Sequence, residues 1–469
     1  MQGRYICAEE QVVTIDLQAT IPPNHLVRRV AKVVDLSFIY ELTQDLYCEN
    51  NGRPSVDPVL FFRMQLIGYL FGITSDRRLC EEVQLNLAYR WFCQVQCPKD
   101  VPDHSSFSRI RDRFGVERCQ AIFDRLLEQL RAQGIARGLR VMVDATLVEA
   151  NASINSLEER PMSEPHARAL KKYEQRYHDF KEGKKKRQVS NHTHVSSSDP
   201  DATLVSRPGT YRKLYYKAHY TLDAESRVIL DCHLTTGAQH ECTVMPERLT
   251  QLLDEEHWPI EEVSADKAYG RGPTYAFLRQ HEIRAYIPLH IEHLGEGQLS
   301  RRDFVFDRKR DRYRCPQNHY LYPYEKLDHR SIKRYRMLGG HCRQCPPSMS
   351  CLPEKHRHRA RFVYRSPHQD EIDRIKKRQV TPHFKRKLSE RQWKAEGVFG
   401  EAKGWHGLRR AKYRGHAKMQ IQVYLTAITQ NLKRLVGRVC DFLWLPLGSI
   451  SHLLSFQAPC FGHVTTRDL

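Results

Sequence analysis

The hydrophobic period of the chain changes once, near residue 135, and that change constrains the fold more than any single motif. Upstream, apolar residues recur at helical spacing. "VDPVLFFRMQLIGYLFGI" (56–73) is almost wholly apolar and suits the central helix of a bundle. "DRRLCEEVQLNLAYRWFC" (76–93) reads as one amphipathic helix with Leu79, Val83, Leu87 and Trp91 on one face. "PDHSSFSRIRDRFG" (102–115) opens with a capping signature, Asp103 through Ser106. It predicts a short basic helix that carries Arg109, Arg111 and Arg113 and stops at Gly115. Those arginines read equally as a phosphate-contacting element and as a solvated face. A further helix, "RCQAIFDRLLEQLRAQG", ends at Gly134. Residues 1–135 are therefore expected to form an all-α domain.

Downstream the period is two. "LRVMVDATLVEA" (139–150) predicts a buried strand, and "KLYYKAHYTLDAESRVILDCHLT" (213–235) a hairpin around "DAES". Between them, residues 157–210 are polar and basic, and read as an inserted helix and long loop. "TVMPERLTQLLDEE" predicts a helix, "EEVSADKAYG" a strand running into a loop, "TYAFLRQH" a helix and "IRAYIPL" a strand. That order predicts helices layered on a mixed sheet.

The formal net charge of +20 and pI near 9.4 select a polyanionic partner, with nucleic acid first and an acidic membrane surface second. No apolar run approaches 18 residues, and "MQGRYICAEEQVV" lacks the apolar core of a signal peptide, so a cytoplasmic, nucleoid-associated protein is expected. Fourteen cysteines without a secretory signal read as reduced thiols, many of them buried, including Cys93 and Cys97. Walker, complete G-x-G-x-x-G and H-E-x-x-H motifs are missing, so no nucleotide cofactor is expected.

Two aspartates stand at the ends of predicted core strands, Asp144 in "VMVDAT" and Asp266 in "VSADKAYG". A carboxylate in an apolar strand is costly unless a partner or cation neutralises it. Mg²⁺ takes oxygen ligands, often one or two carboxylates with waters and phosphate oxygens. Two such ions roughly 4 Å apart activate an attacking oxygen and stabilise a leaving one. A third acid is offered by "RQWKAEGVFGEAKGWHGLRRAKYRG" (391–415), a basic run with Glu396 and Glu401 inside it. As a helix, 390–403 sets Glu396, Gly400 and Lys403 on one face, with Gly400 free to approach DNA or sheet, and turns Glu401 about 140° away. Glu396 is the better metal ligand of the two, and Lys403 is suited to phosphate.

"VDAT", "ADKAYG" and the late pattern Arg391, Glu396, Lys403, Arg409-Arg410 and Arg414-Gly415 resemble the DDE transposases of bacterial insertion sequences. The helical region through "PDHSSFSRIR" resembles their amino-terminal domain. The resemblance spans roughly 25 to 437 and implies an α+β/α/β chain: the helical domain, then an RNase H-like mixed-sheet catalytic domain over 136–437. It further implies an acidic triad of Asp144, Asp266 and Glu396 holding two Mg²⁺ or Mn²⁺ ions. Lys403, Arg391, Arg409 and Arg410 would contact phosphate. Arg391 is the nearest match to the family's arginine, and Leu388 stands where a tyrosine is usual. The implied reaction is hydrolysis at element ends and strand transfer into target DNA, by a homo-oligomer bound to terminal inverted repeats. A catalytically inactive DNA-binding relative, or an RNase H-like nuclease without joining activity, is the alternative. Lys217 and His219, on the hairpin, read more simply as a solvated strand face.

Residues 296–365 hold a Cys-rich insertion in which Cys315, Cys342, Cys345 and Cys351 offer four thiolates, one pair at C-x₂-C spacing. Tetrahedral zinc takes that ligand set, and a loop-rich segment of low apolar content would need such a staple. Free cysteines in a basic loop are the alternative, with His319 and His341 as substitute ligands. The run "RRDFVFDRKRDRYR" (301–314) interleaves cations with rings suited to phosphate and unpaired bases. The tail 438–469 is assigned no role.

Overall fold

The computed structural model describes residues 14–48, 55–160, 189–206, 212–289, 303–327, 332–338, 340–345, 351–352 and 359–443. By internal contact the chain divides into two units. One comprises Met1–Ile135, Trp405–Gly407 and Tyr424–Leu469, the other Ala136–Gly404 and Leu408–Val423.

The described part of the first unit is helical up to residue 135: α1 (Leu17–Thr20), α2 (Leu26–Val33), α3 (Phe38–Thr43), α4 (Pro58–Leu70), α5 (Asp76–Leu85), α6 (Leu87–Cys93) and α7 (Ser105–Ala132). The Asp57 carboxylate accepts the Leu60 N–H and Pro58 takes the first turn, which fixes the start of α4. Apolar all round, α4 is buried along most of its length, and Phe61 meets Phe107 and Phe114 edge-on at 5.3 and 5.4 Å. The single helix expected over 76–93 is instead two. Asn86 ends α5, and its side chain accepts the N–H groups of Ala88 and Tyr89 to start α6. An asparagine that competes for backbone donors outweighs the apolar spacing around it. α7 breaks at Gly115, where φ is 65°, which is the stop expected from the sequence. His406 belongs to this unit and is buried, its Nδ1 2.7 Å from the Tyr69 carbonyl.

In the second unit the strands are β1 (Arg140–Glu149), β2 (Leu157–Glu159), β3 (His194–Ser196), β4 (Thr203–Val205), β5 (Lys213–Asp223), β6 (Ile229–Thr236), β7 (Glu262–Ala265) and β8 (Arg284–Tyr286). They are followed by β9 (Val305–Asp307), β10 (Arg312–Arg314), β11 (Tyr320–Leu327), β12 (Ile332–Met337) and β13 (Phe362–Arg365). The helices from α8 on are α8 (Glu241–Thr250), α9 (Gly272–Gln280), α10 (His341–Gln344), α11 (Gln369–Arg378), α12 (Pro382–Trp405) and α13 (His416–Leu443), the last belonging to the first unit from Tyr424 on. The main sheet has β1 at its centre. β5 lies antiparallel to β1 and to β6, β7 runs parallel to β1, and β8 parallel to β7. The β5–β6 turn is held by Asp223, whose carboxylate accepts the N–H and hydroxyl of Ser226. Gln420 covers the β6 edge, accepting from Leu234 N–H at 2.7 Å and donating to the Cys232 carbonyl at 3.1 Å.

Among its described residues the Cys-rich insertion is largely sheet. β9 to β13 form a five-stranded antiparallel sheet over a core of Phe304, Tyr313, Leu321, Tyr335, Met337 and Val363. Low aliphatic content conceals this core, because alternating aromatics supply it. The basic helix expected near 170–188 falls on 161–188, outside the described residues, and so does the run "KEGKKKRQ" ending at 188. α13 carries past 437 to Leu443, and 444–469 lie outside the described residues. Among the described residues no helix is long and apolar enough to cross a membrane.

Candidate active site

Pairing between the parallel strands β1 and β7 ends at Val143 opposite Ala265. Asp144 and Asp266 are the next residues of these neighbouring strands, which lie about 4.8 Å apart. The carboxyl ends of parallel strands are where open α/β sheets bind ligands. Asp266 accepts the Ala268 N–H at 2.8 Å, which caps the turn Lys267–Tyr269. Asp144 accepts the Ala145 N–H at 2.9 Å and pairs with Arg391 of α12, and both side chains are largely buried.

That environment is poor in compensating charge. Burial pushes the Asp144 carboxyl up to about 6 against the pull of Arg391 and the Ala145 N–H, and the nearby Asp266 and Glu241 carboxylates add to the rise. Tyr269 is fully buried, its hydroxyl makes no hydrogen bond, and its pKa is raised well above the usual value by burial and by Glu241, Asp144 and Asp266. Glu241 carried no signal in the sequence, since an acid in the first turn of a helix is ordinary. In the fold it pairs with Lys217 at 3.3 Å, and Lys217 also donates to the Gln239 carbonyl at 2.7 Å. Lys217 and His219 are therefore not a solvated face. His219 is buried beside Thr235 at 2.9 Å, and burial pushes its pKa down to about 3, which keeps it neutral.

α12 crosses the sheet at Asp144. Arg391 meets that aspartate, and Phe399 stacks at 4.8 Å on Tyr220, the β5 residue directly opposite Asp144. Ala395, Val398, Phe399 and Ala402 form the buried side of the helix. Glu396 lies between these contacts in sequence but is turned outward and exposed. The acids gathered around Asp144 are thus Asp266 and Glu241, and Glu396 stays at the surface of the neighbouring helix. A Cβ on Gly400 would meet open space, so no sheet contact requires that glycine.

Among the described residues no group of three or more His, Cys, Asp or Glu side chains is arranged to hold a metal ion. Mg²⁺ needs less, commonly one or two carboxylates. The Asp144–Asp266 pair, with Asp144 desolvated and the Glu241 carboxylate near it, fits that donor set.

The remaining basic candidates separate clearly. Arg111 is buried and pairs with Asp76 at 2.9 Å, so it braces α7 against α5 and is withdrawn as a phosphate ligand. Arg109 and Arg113 are exposed, Arg113 lying 5.0 Å from the Tyr47 ring. Arg409 and Arg410 are exposed where residues 409–411 join the end of β1, with Ala411 N–H donating to the Glu149 carbonyl at 2.7 Å. Lys403 is half-buried on the last turn of α12.

Cys315, Cys342, Cys345 and Cys351 line a single cavity of 210 Å³ together with His319 and His341, whose rings stack at 4.2 Å. The Cys315 sulfur accepts the His319 N–H at 3.3 Å and the Cys342 sulfur accepts the Arg361 N–H at 3.4 Å. As placed, the thiols line the cavity and do not converge on one point within it.

A transposase domain model (DUF772) matches residues 15–113. A transposase DDE domain model matches residues 314–436, which include Arg391, Glu396, Lys403 and the four cysteines but neither Asp144 nor Asp266. No curated protein matches the chain. Among solved structures, a cryo-EM structure of the piggyBac transposase synaptic complex with hairpin DNA aligns at 10% identity and a TM-score of 0.32, over 93% of this chain and 84% of that one. A similarity of that size carries no weight for fold or chemistry. One transposase model thus matches the helical unit and another the late part of the chain, a likeness that supports the insertion-sequence DDE transposase family.

Proposed function

We propose that the chain is an active DNA transposase with an RNase H-like core, which hydrolyses phosphodiester bonds at the ends of its own element and joins the freed 3′-hydroxyl to target DNA. The observation that carries the proposal is the Asp144–Asp266 pair, two carboxylates on neighbouring strands just past the last paired residues of β1 and β7, with Asp144 desolvated. The strand order β6-β5-β1-β7-β8, an antiparallel meander continued by two parallel strands, supports the RNase H-like reading.

In this proposal Asp144 and Asp266 hold Mg²⁺ or Mn²⁺, and Glu396 joins them from α12 once DNA is bound. Divalent ions there would lower the pKa of an attacking water or 3′-hydroxyl and offset charge on the leaving oxygen. Arg391 holds the Asp144 carboxylate in place, and Lys403, Arg409 and Arg410 take neighbouring phosphates. Arg109 and Arg113 offer the helical unit a second set of phosphate contacts, with affinity that falls as salt rises. Joining requires two ends together, so the working form is a homo-oligomer on terminal repeats, in the cytoplasm at the nucleoid. The inactive-relative reading separates from this one by Asp144→Ala, which should abolish cleavage and spare DNA binding. A nuclease without joining activity would give no joined product from pre-cleaved 3′ ends and a target plasmid.

For the cysteine cavity the proposal is a structural zinc. The shared cavity and two N–H to sulfur bonds support it, and the open spacing of the thiols stands against it. One zinc per chain by elemental analysis is the expected result, and four titratable thiols with no metal would remove it.

A further inference from the structure

The five-stranded sheet has two unlike faces. One covers its aromatic core, through Tyr313, Leu321, Tyr335 and Val363. Because side chains alternate along a strand, their neighbours stand on the other face. These are Tyr322 and Tyr324 of β11, Arg334 and Arg336 of β12, and Phe362 and Tyr364 of β13. The register sets Arg336 between Tyr322 and Phe362, and Arg334 between Glu325 and Tyr364. The Arg334 guanidinium lies 3.9 Å from the Phe362 ring centre, and that of Arg336 lies 5.1 Å from Tyr324. Tyr322, Tyr324 and Tyr364 are 39%, 52% and 48% exposed, which is far from the usual fate of a ring in a folded sheet.

Three described acids of this region each have a cation of their own. Asp307 pairs with Arg312, Asp311 with Lys333, and Asp370 with Arg365. The outer face therefore combines cations with open rings, which complements a polyanion carrying flat, unstacked groups. Duplex DNA shields its bases within the stack, whereas an unpaired strand presents both its phosphates and its base faces.

We propose that this outer face is a binding platform for single-stranded DNA. Resting on the transposase reading, its occupant is the strand unpaired beside a cleavage site. The rings of Tyr324 and Tyr364 stack on bases, and Arg334 and Arg336 pair with the phosphates between them.

The test is fluorescence anisotropy of the full chain with a labelled oligothymidylate and, separately, a labelled duplex of equal length. Tyr324→Ala with Tyr364→Ala should weaken single-strand binding about tenfold or more, stacking on a ring being worth roughly that much. Duplex affinity should change less than about twofold. Tyr364→Trp, which keeps a ring, should retain single-strand binding and serves as the folded reference if the double variant melts early. Unchanged oligothymidylate affinity overturns the proposal, as does an equal loss for both DNA forms, which marks a general polyanion surface. A chain that cleaves no element end yet loses single-strand binding with its rings refutes the transposase reading and keeps the platform, and active cleavage with indifferent rings does the reverse.

Discussion

The two sheets of the second unit handle carboxylates in opposite ways. In the five-stranded sheet Asp307 and Asp311 are each answered locally. The Tyr335 hydroxyl donates to Asp311 at 2.7 Å and Lys333 stands at 3.3 Å, and together they hold that carboxyl below its usual range despite its partial burial. In the main sheet Asp144, Asp266 and Glu241 share two cations, Arg391 on Asp144 and Lys217 on Glu241, and burial drives the Asp144 pKa up. Paired carboxylates stabilise a fold. Carboxylates gathered beyond their cations cost stability, and that cost is explained if a divalent ion completes the set.

The largest effect that would break this contrast is on catalysis. Asp144→Asn and Asp266→Asn should each lower end cleavage about a thousand-fold or more, since metal stabilisation of a transition state is worth several kcal/mol. Asp266→Asn should not lower the melting temperature, because it removes charge from a crowded site, whereas Asp144→Asn should lower it by leaving the Arg391 guanidinium without its carboxylate. Cleavage gels and thermal melts on the same samples check both halves, and retained cleavage would end the contrast. A comparison of Glu396→Gln with Glu241→Gln sharpens it. Glu396→Gln should abolish cleavage, while Glu241→Gln should cost about ten- to a hundredfold as an outer partner. The opposite ranking would assign the third carboxylate to Glu241.

Arg391→Met should destabilise the fold by about 1–3 kcal/mol in chemical denaturation, because it strands a buried carboxylate. Asp311→Asn should cost under about 1 kcal/mol, as its ion pair is half exposed. Its signature is in pH. A carboxyl whose folded pKa is depressed contributes stability above its unfolded value, near 4, and loses it as pH falls through the lowered value. The wild-type melting temperature should thus drop more steeply than that of Asp311→Asn below pH 4, and parallel curves would remove Asp311 from the account. Asparagine tolerates the φ of 45° at this position, so the backbone is not a confounder.

Much of this contrast was legible in the sequence, and the illegible part has physical causes. The strand around Asp144, the hairpin and the stop at Gly115 follow from period and turn chemistry, which are local. Asp144 and Asp266 stand out because a charged residue interrupts an apolar strand. Glu241 and Lys217 do not, since their pairing joins a strand to a helix start that only the tertiary fold brings together. Arg111 looked like its neighbours Arg109 and Arg113. Only packing shows that it points inward to Asp76. The five-stranded sheet was missed because its core is built from tyrosine and phenylalanine interleaved with arginine, a pattern that reads as basic loop until strand register separates the faces.

Mn²⁺ binding followed by electron paramagnetic resonance tests the central claim most directly, with the wild-type chain, Asp144→Asn and Asp266→Asn each bound to the same element-end DNA. Wild type should take up Mn²⁺, and each variant should bind it about tenfold more weakly or worse, for want of one of two carboxylates. Three superimposable titrations would contradict the account, because a pair of aspartates that neither gathers nor needs a cation cannot be the catalytic centre.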